Sequence, residues 1–131
     1  MKGKVLLAKP GLDGHEAGVM LVGRALHESG FEVIYLGLRQ TADMIARAAV
    51  SEDADVIGLS VLTGGHVQHA QQLMTSLEAD GAADIPVIMG GIISLESGQE
   101  LLDAGVTAYF GPGRTLTEIV ACFEETCRAR R

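Results

Sequence analysis

The stretch Lys9-Pro-Gly-Leu-Asp13-Gly-His15-Glu16-Ala-Gly18 places four side chains capable of acid–base or ligand chemistry among small and kinking residues. A loop histidine can bind a metal through one ring nitrogen while the other donates to a carboxylate, which fixes the tautomer and raises the basicity of the free nitrogen. Asp13 lies two residues before His15 and can be that carboxylate if the loop folds back. Lys9, four residues earlier, can hold Asp13 in its ionised form. A lone histidine is usually a surface or hydrogen-bonded turn residue; the loop position and the neighbouring Asp13 favour a ligand here. A zinc site is not expected, because the loops offer no cysteine and no second histidine of convergent spacing. His66 and His69, three apart at the start of a helix, read as residues facing a ligand or solvent, and His27 as a surface helix residue.

These residues need elements to position them. Short apolar runs, rich in β-branched residues, recur at Lys4–Ala8, Glu32–Leu36, Asp55–Leu62, Pro86–Gly90 and Thr107–Phe110. Continuous apolar runs of this length are typical of strands buried on both faces of a parallel sheet. Helical spacing predicts helices over Ala17–Ser29, Thr41–Glu52, His66–Asp80, Ser94–Ala104 and Thr115–Arg128. Ser94 is a candidate N-cap, and Gly30, Gly81 and Gly105 are stop signals. Five β-α units in succession predict a doubly wound, three-layer α/β/α sandwich with a flavodoxin-like strand order 2-1-3-4-5. A single domain is expected over residues 1–131, with no linker or repeat.

In such folds ligands bind beyond the carboxyl ends of the strands, near the switch point. The loops there are Lys9–Gly18, Ser60–His66, Gly90–Ser94 and Phe110–Thr115, most of them glycine-rich. Glycine there lets the backbone approach a large ligand closely. No GxGxxG follows the first strand and no GxxxxGK[ST] occurs, so a nucleotide-phosphate site is unsupported. A phosphoacceptor receiver needs an acidic pair after the first strand and a lysine after the fifth; Asp13 stands alone and the fifth strand ends Phe-Gly-Pro-Gly-Arg.

A net charge of −7 and 4% aromatic residues argue against nucleic-acid binding. The basic cluster Arg128–Arg131 is expected to cap the last helix. No apolar run is long enough to span a membrane, and the N-terminus reads as a strand and not a signal peptide. Cys122 and Cys127 form no CxxC, so reduced thiols and a cytoplasmic location are expected.

Asp13-Gly-His15-Glu-Ala-Gly18 fits the D-x-H-x-x-G motif of cobalamin-binding domains. The wider Lys9-Pro-Gly-Leu-Asp-Gly-His15 resembles the methylmalonyl-CoA mutase branch, as do Ser-Val-Leu-Thr-Gly-Gly-His (60–66), Met-Gly-Gly-Ile-Ile (89–93) and Phe-Gly-Pro-Gly (110–113). The resemblance implies base-off binding of cobalamin, with His15 as the lower axial ligand of cobalt, Asp13 bonded to its imidazole and Lys9 as the outer member of the relay. It further implies that Gly14 and Gly18 belong to the ligand arm, that the nucleotide tail lies against Ser60, Leu62, Gly64, Gly90 and Gly91, and that Phe110, Gly111 and Gly113 frame its far end. Two positions depart from the branch: Glu16-Ala17 stands where Asp-Arg is common, and Arg114 where Thr is common.

The same resemblance implies a function. The chain looks like the cofactor-binding small subunit of an adenosylcobalamin-dependent acyl-CoA mutase, an isomerase of the methylmalonyl-, isobutyryl- or 2-hydroxyisobutyryl-CoA type. A (β/α)₈-barrel large subunit would bind the acyl-CoA, and this chain alone would carry no catalytic residue. The alternatives are a non-catalytic cobalamin carrier or sensor, and a corrinoid protein of a methyltransferase system.

Overall fold

The computed structural model describes residues 1–130. Five strands, β1 (Lys4–Ala8), β2 (Glu32–Tyr35), β3 (Val56–Val61), β4 (Val87–Gly91) and β5 (Ala108–Phe110), form one parallel sheet in the order β2-β1-β3-β4-β5. They alternate with α1 (Ala17–Glu28), α2 (Ala42–Ser51), α3 (His66–Ala79), α4 (Leu95–Asp103) and α5 (Leu116–Arg130). The expected flavodoxin-like order is therefore the observed one, and element bounds differ from expectation by one or two residues at their ends.

The alternation of side chains along each strand splits the core in two. Leu6, Ala8, Ile57, Leu59, Val87 and Met89 face α2, α3 and α4, where they meet Ile45, Ala49, Leu73, Leu77 and Leu101. Val5, Leu7, Val56, Ile88 and Phe110 face α1 and α5, meeting Val19, Leu26, Phe123 and Cys127. Helix starts are specified locally. Ser94 Oγ accepts from the Ser97 N–H at 3.1 Å, and Thr41 Oγ1 accepts from the Met44 N–H at 3.1 Å, each satisfying a donor of the first turn. Among the described residues no helix is long and apolar enough to cross a membrane.

Arg128 and Arg130 of the basic C-terminal cluster lie in the last turn of α5, the place expected to complement the helix end. Arg130 also donates from Nη1 to the Ala54 carbonyl at 2.7 Å and from Nη2 to Asp84 at 3.1 Å. This ties the end of α5 to the segment entering β3 and the loop before β4. A planar fork reaching two acceptors on neighbouring segments gives more fixed geometry than a diffuse dipole interaction. Arg131 lies outside the described residues.

Register brings the functional loops together. Val5 pairs with both Val33 and Val56, Ser60 with Gly90, and Val61 with Gly91. The carboxyl ends of β1, β3 and β4 thus meet at one edge. β2 also reaches there: the Gln40 N–H donates to the Lys9 carbonyl at 3.1 Å, so the β2–α2 loop braces the base of the β1–α1 loop.

Candidate functional site

At the end of β1 the chain buries a charge. Lys9 is fully buried, and its three ammonium donors have three acceptors: Asp13 Oδ2 at 3.0 Å, the Ser60 carbonyl at 3.0 Å and Ser60 Oγ at 3.3 Å. Asp13, 3% exposed, accepts four bonds. Oδ2 takes Lys9 Nζ and the Leu62 N–H at 2.6 Å; Oδ1 takes the His15 N–H at 2.9 Å and His15 Nδ1 at 2.7 Å. An ionised carboxylate has about four lone-pair sites, so Asp13 is saturated as an acceptor. Burial pushes the Asp13 carboxyl up, but the Leu62 and His15 backbone N–H groups, then the His15 and Lys9 side chains, outweigh it and hold it well below the usual carboxylate range. Lys9 is thus one of several groups that keep Asp13 ionised, and the two backbone donors outrank it.

A saturated, ionised Asp13 dictates the tautomer of His15. Nδ1 must carry the proton it donates, leaving Nε2 of the neutral ring with its lone pair free. The His15 side chain is 67% exposed, so that nitrogen is presented outward while the rest of the relay is sealed. The arm has a second anchor. Tyr35 Oη, at the end of β2, donates to Glu16 Oε2 at 2.6 Å, and burial together with the Glu16 carboxylate pushes the Tyr35 phenol up. Glu16, where the sequence departs from the branch pattern, therefore pins the residue after His15 to the neighbouring strand. Arg114, the other departure, pairs with Glu118 at 2.8 Å and lies 5.1 Å from the centroid of the Phe110 ring.

Beside this relay lies a cavity of about 340 Å³ between the sheet and helices α1 and α5. Its walls include Gly18, Ser60, Leu62, Gly90, Gly91, Phe110 and Gly111, all of them expected site residues. Ser60 and Leu62 belong both to this wall and to the Lys9–Asp13 relay. A Cβ at Gly18 or Gly90 would meet nothing within 4 Å, so each leaves bare backbone facing open space. The remaining expected residues stand apart. Gly14 is exposed; Gly64 is exposed and borders a separate shallow depression with Leu62 and Ile92; Gly113 is exposed beyond Pro112.

Sequence reasoning missed the cavity's floor and far wall. Leu7, Gly58, Ile88, Ile119 and Phe123 line it, and a Cβ at Gly58 would come within 2.6 Å of Leu7 Cδ2 and 3.1 Å of Phe123 Cζ. Ile119 and Phe123 are four apart on α5, a helical spacing that marks an inward face but not what that face encloses. His66 and His69 also depart from expectation. His66 is buried, its Nε2 2.8 Å from the Val61 carbonyl; His69 is half-buried against Gly11, where burial and then His66 lower its pKa.

An open, doubly wound α/β domain with an apolar cavity at its switch-point edge, flanked by a preorganised histidine, is a small-molecule-binding domain. The model of the B12 binding domain matches residues 3–121, and the chain belongs to that family. It is 42% identical over 103 residues to the 2-hydroxyisobutanoyl-CoA mutase small subunit of Aquincola tertiaricarbonis, covering 79% of this chain and 76% of that one. It is 40% identical over 119 residues to the pivalyl-CoA mutase small subunit of Xanthobacter autotrophicus, covering 91% and 80%. A solved cobalamin-binding protein from Desulfitobacterium hafniense shares the fold with a TM-score of 0.81 at 21% identity, over 95% of this chain and 58% of that one. The cobalamin-domain resemblance read from the motifs is thereby borne out.

The residues present fit such a cofactor. A flat aromatic base needs an apolar slot with backbone-lined walls, and the cavity supplies one with Gly90 open to it. A metal centre needs a lone pair of fixed direction, which His15 Nε2 supplies once Asp13 holds Nδ1.

Proposed function

We propose that this chain binds cobalamin base-off through His15 and serves as the cofactor-binding small subunit of an adenosylcobalamin-dependent acyl-CoA mutase. The observation that carries the reading is the four-donor shell on Asp13, which leaves His15 Nε2 as an exposed lone pair beside an apolar cavity. In this reading His15 would hold the cobalt through Nε2, and the cavity between β3, β4 and α5 would take the displaced nucleotide tail. Ser60 is the polar wall residue for the tail base; Gly18, Gly90, Gly91 and Gly111 let it lie against backbone. Gly14 lends the arm its reach, while Gly64 and Gly113 shape the rim, outside the cavity wall. Adenosylcobalamin, when bound, supplies a carbon radical by homolysis of its cobalt–carbon bond.

The chain's own contribution is orientation and electronics. Asp13 sets the tautomer of His15 and stabilises positive charge on its ring, while Lys9 keeps the carboxylate neutralised in a site sealed from water. Two relatives that match most of this chain are small subunits, which supports a separate large subunit as partner. In this reading that subunit is of barrel type and binds the acyl-CoA. Residues 1–131 then act as one cofactor domain.

The test is titration of the purified protein with adenosylcobalamin, followed by absorption and, after reduction to the Co(II) state, by EPR. Base-off binding with nitrogen splitting from one histidine, lost in His15→Ala, is expected. No binding by the wild type, with or without a candidate large subunit, sinks the assignment.

A further inference from the structure

We propose that His66 is a positioning residue for the Asp13–His15 pair and acts on it through the Val61–Leu62 peptide. His66 opens α3 directly after Gly65, whose φ of 90° turns the chain so that the imidazole folds back over the end of β3. Its Nε2 lies 2.8 Å from the Val61 carbonyl oxygen. A carbonyl only accepts, so Nε2 carries the proton. The other end of the same peptide unit is the Leu62 N–H, which donates to Asp13 Oδ2 at 2.6 Å. One peptide plane is thus gripped at its oxygen by His66 and at its nitrogen by Asp13.

A third constraint comes from β4. A Cβ at Gly91 would stand 1.8 Å from the Val61 oxygen and 3.1 Å from His66 Nε2, so only a glycine backbone leaves room for the clamp. Donation to the carbonyl polarises the amide and makes its N–H a stronger donor, as in any chain of linked hydrogen bonds. Without His66 the carbonyl at the strand end loses its partner, and the peptide is free to rotate its N–H away from Asp13. Asp13 Oδ1 holds both the backbone N–H and Nδ1 of His15, so a shift of Asp13 turns the imidazole with it. The role of His66 toward a bound metal rests on the reading of His15 as its ligand; the clamp itself does not.

The experiment uses the ¹⁵N-labelled, cofactor-free chain with His66→Leu and His66→Gln. Leucine fills volume without a donor, whereas the glutamine amide can still donate to the Val61 oxygen. Hydrogen exchange at the Leu62 amide, referred to Ile57 and Ile88 in the sheet centre, is expected to accelerate about tenfold in His66→Leu, the loss of roughly one net hydrogen bond. In His66→Gln it is expected to return to within about threefold of wild type, again on the scale of a fraction of one hydrogen bond. Adenosylcobalamin affinity follows the same order in the same proteins. Leu62 exchange that is unchanged, or that rises only in step with Ile57 and Ile88, overturns the proposal. A selective change at Leu62 in a protein whose wild type never binds adenosylcobalamin, with or without a candidate large subunit, refutes the ligand assignment of His15 and leaves the clamp standing.

Discussion

Replacing Asp13 by asparagine keeps the shape of the relay and removes its charge. Four N–H donors converge on this residue, two at each oxygen. An amide offers one acceptor oxygen and one NH₂ group, so two of the four donors must face another donor whichever way it sits. If the oxygen serves Lys9 and Leu62, His15 must move its proton to Nε2 and its backbone N–H is orphaned. Lys9, with no exposed side-chain surface, is left as a buried cation without a counter-ion. Breaking a buried pair in this way costs about 3–5 kcal/mol. In a domain of this size that is a drop in Tm of roughly 10–20 °C.

The pH dependence sharpens the test. The folded Asp13 carboxyl is held below its ordinary value of 3.8, so its contribution to stability is complete above that pH and is lost as pH falls toward the folded value. At pH 3 the unfolded chain already gains the proton, and the wild type has lost about 1.2 kcal/mol of this contribution by linkage. The Asp13→Asn variant has no such titration. Urea unfolding of both proteins at pH 7, 5 and 3 should show a gap of about 3 kcal/mol or more at pH 7 that narrows by about 1 kcal/mol at pH 3. A gap under about 1 kcal/mol at pH 7, or one that stays constant with pH, refutes the claim that Asp13 neutralises Lys9 and fixes His15.

Gly90→Ala separates folding from binding. Its Cβ meets no atom within 4 Å, so stability should hold or rise by about 0.5 kcal/mol, while adenosylcobalamin affinity, read by absorption titration, should fall at least about tenfold as the methyl enters the cavity. Gly91→Ala, one residue on, should yield no cooperatively unfolding protein by circular dichroism, because its Cβ would sit 1.8 Å from the Val61 carbonyl oxygen. In an alkaline spectrophotometric titration one of the two tyrosines should ionise well above the ordinary value of 10.0, and Tyr35→Phe should abolish that late phase; its persistence would exclude the Tyr35–Glu16 anchor.

Much of the site was legible because it is local. Lys9, Asp13 and His15 lie within seven consecutive residues, and a strand end followed by glycine can fold only a few ways around a carboxylate two residues from an imidazole. What the motif did not reveal is the larger share of what holds it. Leu62 N–H and the Ser60 carbonyl reach Asp13 and Lys9 across about fifty positions, through parallel pairing of β1 with β3. Tyr35 reaches Glu16 because β2 adjoins β1. His66 reads as a helix-start residue facing a ligand or solvent; Gly64-Gly65 marks a turn before it, but not that the turn sends the ring inward onto the Val61 carbonyl.

The amino-acid sequence by itself determined the alternation of five strands and five helices, the sheet order, and the three side chains of the relay. Those follow from periodicity, chain connectivity and short-range spacing, which act within one element or between neighbours in the chain. Only the tertiary structure decided that Asp13 is saturated by four donors, that α5 closes an apolar cavity with Ile119 and Phe123, and that Arg130 binds the segment entering β3. Each depends on the register of strands distant in the chain. Backbone N–H and C=O groups are present at every residue, so a sequence does not mark which of them will face a buried charge.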